Sequence, residues 1–234
     1  MPGKRKAKRR GVSSALAKRV SLLETKQAAD DKATEYKSTY QAYQQFINTS
    51  PSVVSNMGPR TLQGTQGEGA VNASDPVRIG NEINLRHYIV TGYVKLPVNS
   101  DGQLVGGNAP NVNCRMIFAD NLTDTTQLTL GDVLQDTANT ARSLNSPYKN
   151  KIATGKRYKI LADYKFNLDI VNGTKRFKFR MPMPKSGRVL HYDGNLNNDP
   201  SDLNISCIAF CDVAPLSANQ PDMLWTVKTR FTDK

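Results

Sequence analysis

The chain has 234 residues, 38% of them hydrophobic, and its 32 Lys and Arg against 20 Asp and Glu give a formal net charge of +12. That length allows one substantial domain plus an arm. No run approaches the ~20 apolar residues of a membrane-spanning helix, and the first residues lack the apolar stretch of a secretory signal, so neither a membrane partner nor export by that route is expected.

Charge is concentrated at the start. Lys4, Arg5, Lys6, Lys8, Arg9, Arg10, Lys18 and Arg19 fall within residues 1–19, which contain no acid, and the other 215 residues carry 24 basic and 20 acidic side chains. Such a run cannot bury apolar surface, repels itself and is expected to stay disordered until it meets a polyanion. Each Lys or Arg that meets a phosphate releases condensed counterions, so binding is strong, salt-sensitive and blind to sequence. Residues 1–19 therefore read as a nucleic-acid-binding arm. A nuclear-import signal is a second reading of KRKAKRR, compatible with the first. A solubilising tail is the bland alternative, and a membrane-surface patch is disfavoured because the first ten residues hold no bulky apolar anchor beyond Met1.

Residues 20–47 predict an amphipathic helix. Leu22, Ala29, Tyr36 and Tyr43 recur every seven residues, interleaved with Ala33, Tyr40 and Ile47, and no proline or glycine interrupts them. Such a helix either lies on its own domain or associates with copies of itself. Residues 48–76, rich in Gly, Ser, Thr, Asn and Gln and almost free of charge, predict a flexible linker.

From Val77 to the end, the period changes to two. Between Arg157 and Val171, Tyr158, Ile160, Ala162, Tyr164, Phe166, Leu168 and Ile170 alternate with mostly polar residues, Leu161 being the exception. Asn172-Gly173 follows as a hairpin-turn signal, and then Phe177, Phe179, Met181 and Met183 alternate with Lys178, Arg180 and Pro182. Further strands are predicted over Ile83–Leu96, Val112–Ala119, Arg188–Tyr192, Asn204–Val213 and Met223–Thr232, with a short helical piece over Leu128–Gln135. Many strands with turn-rich connections predict an all-β fold, an antiparallel jelly-roll sandwich over residues 77–234.

Motifs of catalysis are missing. His87 and His191 are the two histidines, and neither clusters with cysteines or acids at ligand spacing. ATGKRY fails as a phosphate loop, because Asn150 stands where its first glycine belongs and Arg157 where Ser or Thr belongs. No metal and no cofactor are expected. Calcium at Asp120, Asp124, Asp132 and Asp136 is a weaker reading than a solvated helix face. Cys114, Cys207 and Cys211 read as buried small hydrophobes. An enzyme on a sandwich fold is thereby disfavoured.

A second basic cluster stands out over Lys156–Arg188: Lys156, Arg157, Lys159, Lys165, Lys175, Arg176, Lys178, Arg180, Lys185 and Arg188, against two acids. On an alternating strand pair most of these project from the face opposite the core, either as a solvated face or as a lining for the polyanion that meets the arm. Of these, Lys156, Arg157, Lys159, Lys175, Arg176, Lys178 and Arg180 are the candidate nucleic-acid contacts outside the arm. Stacking of bases on Tyr158, Tyr164 or Phe166 is not expected, since these fall on the apolar face.

With the arm KRKAKRR, VRIGNEINLRHYIVTGYV (Val77–Val94), NCRMIFADN (Asn113–Asn121), LTLGDVLQ, DYKFNLDI and WTVKTRF in this order, the chain resembles the single-jelly-roll capsid proteins of small circular Rep-encoding single-stranded DNA viruses. It is also similar to satellite-tobacco-necrosis-virus-like coat proteins. The resemblance implies an eight-stranded jelly roll and a T=1 icosahedral shell of sixty copies, with the arm inside on a single-stranded genome, DNA more than RNA. It further implies a virion location, while host nuclear import receptors as partners during assembly are what the dense charge of KRKAKRR suits. Sixty arms of eight charges would balance 480 phosphates, fewer than a gene-bearing genome presents, so basic residues of the body would add to them. The alternative is a basic nucleic-acid-binding protein that does not assemble, such as a viral nuclear shuttle or movement protein.

Overall fold

The computed structural model describes residues 18–26, 36–63, 77–78, 80–98, 111–124, 126–149, 157–193, 199–215 and 218–234. The chain divides into two units, Met1–Tyr36 and Lys37–Lys234. Of the first unit, the described part is a helix, α1 (residues 18–26), whose side chains are all exposed, and Tyr36.

The second unit contains the strands β1 (Lys37–Phe46), β2 (Ser52–Val54), β3 (Leu62–Gln63), β4 (Val77–Arg78), β5 (Glu82–Lys95), β6 (Val112–Asn121), β7 (Tyr158–Leu168), β8 (Thr174–Arg180), β9 (Arg188–His191), β10 (Asn204–Cys211) and β11 (Asp222–Asp233). Between β6 and β7 lie two short helices, α2 (Leu130–Val133) and α3 (Thr140–Asn145). One sheet runs β1-β11-β5-β8, with β9 also on β5; the other runs β2-β10-β6-β7; β3 and β4 form a small parallel pair.

Leaving aside β3, β4 and β9, the pairing is nested. The first strand pairs with the last (β1 with β11), the second with the seventh (β2 with β10), the third with the sixth (β5 with β8) and the fourth with the fifth (β6 with β7), all antiparallel. A long antiparallel ribbon rolled into two four-stranded sheets has this connectivity, and it defines a jelly roll. The all-β sandwich expected from the alternating pattern is the fold of the chain.

Alternation then sorts side chains into layers. Tyr88, Val90 and Val94 of β5, Phe177 and Phe179 of β8, and Met223, Trp225 and Val227 of β11 meet Met116 and Phe118 of β6, Leu168 of β7 and Cys207 of β10 in the core between the sheets. Gly92 is part of this packing: a Cβ there would come within 2.5 Å of the Trp225 side chain and the Leu224 carbonyl. A smaller core lies on the other side of the second sheet, where Leu128, Leu130, Val133 and Leu134 pack on Ile117, Ala119, Tyr158, Ile208 and Phe210. Asp132 closes the start of α2, its carboxylate accepting from the Thr129 N–H and hydroxyl, both at 2.8 Å.

Three expectations are overturned. The helix over 20–47 holds only in part: α1 covers 18–26, 27–35 lie outside the described residues, and from Lys37 the chain is a strand paired with β11 over ten residues. The domain therefore begins about forty residues before Val77. Within the linker over 48–76, β2 pairs with β10, and Met57 is buried, its carbonyl accepting from the Tyr88 hydroxyl at 2.8 Å and its sulfur from the Trp225 indole at 3.4 Å. Residues 64–76 fall outside the described residues. Finally, Asn172-Gly173 does not close a hairpin. β7 and β8 are edge strands of different sheets, and the turn between them, held by the Asp169 carboxylate accepting from the Val171 and Asn172 N–H groups, carries the chain from one sheet to the other.

Candidate nucleic-acid interface

The outward face of the first sheet gathers positive charge by strand alternation. In β8, Phe177 and Phe179 point into the core, so Arg176, Lys178 and Arg180 project outward, and all three are exposed. The register extends each position across the sheet. Arg176 lies in a row with Tyr93, Leu224 and Gln44; Lys178 with Thr91, Thr226 and Ala42; Arg180 with Ile89, Lys228 and Tyr40. A fourth row holds His87, Arg230 and Ser38. Five exposed cations, Arg176, Lys178, Arg180, Lys228 and Arg230, thus share one face. Asp222, the acid in this alternation, is buried at its end, with the Gln44 amide 3.2 Å from both carboxylate oxygens.

His87 registers the local field. Its Nδ1 faces an Arg180 guanidinium nitrogen. Burial, followed by the charges of Arg180 and Arg230, pushes its pKa below the usual histidine value. A neutral imidazole that accepts from Arg180 is the form this setting favours.

The candidates from sequence do not all come together. Lys4, Arg5, Lys6, Lys8, Arg9, Arg10 and Lys156 lie outside the described residues, and Lys18 and Arg19 are exposed at the start of α1. The run Lys156–Arg188 divides three ways because β7 and β8 belong to different sheets. Arg176, Lys178 and Arg180 join the face above, with Lys175 exposed at the start of the same strand. Lys165 is exposed on the outward side of the second sheet, the side on which Asp163 meets Arg115. Lys159 and Arg188 instead flank Asp120 in a cleft between the sheets that also takes in Leu161 and Met181. There Arg188 pairs with Asp120 at 3.0 Å, while burial raises the pKa of the Asp120 carboxyl against the pull of Arg188. Arg157 is exposed just before β7, its N–H donating to Thr123 Oγ1 at 2.6 Å.

Sequence reasoning missed Lys228 and Arg230. Their signal was present, since both alternate with buried Val227, Thr229 and Phe231, but the two cations belong to the last strand, far from the basic run in sequence.

No group of His, Cys, Asp and Glu among the described residues has the arrangement to hold a metal ion. The four aspartates considered for calcium have separate tasks: Asp120 pairs with Arg188, Asp124 accepts from Asn121 and Thr126, Asp132 closes α2, and Asp136 accepts from the Ala138 N–H. All three cysteines are buried and unlinked, with Cys114 opposite Cys211 across β6 and β10. Among the described residues no helix is long and apolar enough to cross a membrane.

No family model matches this chain, and no curated protein does. Among solved structures, a chain of Desmodium yellow mottle tymovirus is similar at 8% identity and a TM-score of 0.37, covering 86% of this chain and 88% of its own. A chain of Mud crab tombus-like virus gives 8% identity and a TM-score of 0.33, covering 86% and 82%. A chain of Cocksfoot mottle virus gives 14% identity and a TM-score of 0.32, covering 86% and 93%. The fold assignment rests on the nested strand pairing rather than on these likenesses.

Proposed function

We propose that the chain is a viral capsid subunit that assembles with copies of itself into a small icosahedral shell and packages a single-stranded genome without sequence preference. A jelly roll alone does not specify a function. The observation that carries the reading is the distribution of charge: one outward sheet face bears Arg176, Lys178, Arg180, Lys228 and Arg230, and residues 1–19 add eight cations and no acid. Both elements suit a phosphate backbone, and a shell of many copies multiplies them. Sixty copies and single-stranded DNA follow the resemblance to coat proteins of circular single-stranded DNA viruses, and passage through the host nucleus follows the dense charge of KRKAKRR. A non-assembling shuttle protein would share the charge but not the shell.

Electron microscopy of the purified chain, alone and mixed with single-stranded DNA over a range of salt, separates the two. Uniform closed particles are the expected result. Monomers or dimers under every condition would overturn the capsid reading.

A further inference from the structure

The charged face of the first sheet has a relief that charge does not require. Its middle row, Ala42, Thr226 and Thr91, is built from small side chains. The rows on either side carry large ones, Tyr40 and Ile89 in one, Leu224 and Tyr93 in the other. Alternate residues of a strand are about 7 Å apart, so the two bounding rows stand about 14 Å apart with a low floor between them. The outcome is a depression of about 450 Å³ whose lining includes Tyr40, Ala42, Thr91, Tyr93, Arg176 and Thr226. That volume is within the roughly 300–1,000 Å³ span of small-ligand sites.

Its chemistry is specific. Tyr40 is 66% exposed, and Tyr93 is half-buried on the other side of the floor. The Thr91 and Thr226 hydroxyls lie 3.0 Å apart in the floor, placing polar groups beneath an otherwise apolar surface. Cations line the surroundings: Arg176 at the depression itself, Lys178 at the end of the middle row, Arg180 and Lys228 in the row of Tyr40. Among the described residues, none of these four forms an ion pair with a carboxylate.

We propose that this depression receives unpaired bases of a single strand, which stack on the rings of Tyr40 and Tyr93 while Arg176, Lys178, Arg180 and Lys228 hold the flanking phosphates. Aromatic rings beside a cationic track are the general means of binding single strands without sequence preference, since every base has a π-face. A duplex keeps its bases stacked inside and offers this site only its backbone. The body would then select single strands, a task the arm cannot perform because it reads phosphates alone. The inference rests on the reading that this face meets the genome.

The full chain is titrated with a short oligothymidine and with an abasic strand of the same length and charge. The arm binds both alike, so a difference between them reports the depression. The expected result is binding of oligothymidine about tenfold tighter than of the abasic strand. Substituting Tyr40→Ala together with Tyr93→Ala should erase that preference and leave the salt dependence unchanged, whereas Tyr40→Phe with Tyr93→Phe should keep it. Unchanged Trp225 emission verifies the fold of each variant. Equal binding of the two strands by the native chain, or a preference that survives the alanines, overturns this inference and leaves the genome-facing reading standing. Binding of neither strand overturns both.

Discussion

Arg115 lies on β6 with its side chain 2% exposed, on the side of the second sheet away from the main core. All three of its guanidinium nitrogens are engaged: Nε and one terminal nitrogen donate to the two Asp163 oxygens at 3.2 and 2.8 Å, and the other terminal nitrogen donates to the carbonyls of Ser143 and Ser146, both at 2.8 Å. Tyr148 adds its hydroxyl to Asp163 at 2.6 Å. One side chain thereby fastens α3 and the segment after it to the sheet. Replacing Arg115 by alanine leaves two carbonyls without their donor and the Asp163 carboxylate without its cation, and an expected loss of about 3–5 kcal/mol follows. Tyr148→Phe, which removes a single hydrogen bond, should cost about 1 kcal/mol. Urea denaturation followed by Trp225 emission measures both, and similar costs for the two would contradict this account. Sequence showed Arg115 only as one residue of a strand, because its partners come from β7 and from the helical segment between β6 and β7. Leu161 was more legible. Its break in the alternation of β7 corresponds to a register shift opposite Phe118 and Ala119, which turns Tyr158 and Ile160 to the helix side while Leu161 and Ala162 join the main core.

β1 shows how an element can be misread from its own sequence. Its helical stripe came from Tyr36, Tyr40, Tyr43 and Ile47, yet Tyr40 faces out, while Tyr43 stacks on Trp225 with ring centroids 5.2 Å apart. The inward face of the strand is largely polar, which hides the period of two. Thr39 meets the Thr229 hydroxyl at 2.6 Å, Gln41 donates to the Gly58 carbonyl at 3.1 Å, and Gln45 accepts from Ser52 at 2.7 Å. Each inward polar group is satisfied by a partner distant in sequence or beyond the strand's own end, so pairing with β11 overrides the local apolar pattern. A chain beginning at Lys37 should keep its cooperative thermal transition and its Trp225 emission. A chain beginning at Ile47 strips β11 of its outer neighbour and uncovers Trp225, so it should show red-shifted emission and a lost or greatly lowered transition. Equal stability of the two chains would be inconsistent with β1 as a strand of the body.

At the scale of the molecule, the surplus of charge is divided between an arm of eight cations and the remaining 215 residues, whose own surplus is four. Removing residues 1–19 from the proposed shell subunit should leave particle formation largely intact and sharply reduce co-purifying nucleic acid, measured as the ratio of absorbance at nucleic-acid and protein wavelengths. An unchanged ratio would remove the role assigned to the arm. The all-β class, seven of the strands and the short helix α2 were legible in the sequence, because each depends on local alternation or a local capping residue. Which strands are neighbours was not. Nested pairing of β1 with β11 and of β2 with β10 joins residues more than 150 positions apart, and hydrophobic periodicity within a strand does not encode its partner. The basic run of Lys156–Arg188 is continuous in sequence yet splits among two sheet faces and a cleft, while Lys228 and Arg230 come from the far end of the chain to complete the charged face. Composition and periodicity by themselves determined that this is a basic β-protein with its charge concentrated in residues 1–19; which cations of the body share one sheet face was decided by the tertiary structure, because strand register alone brings distant residues into one row.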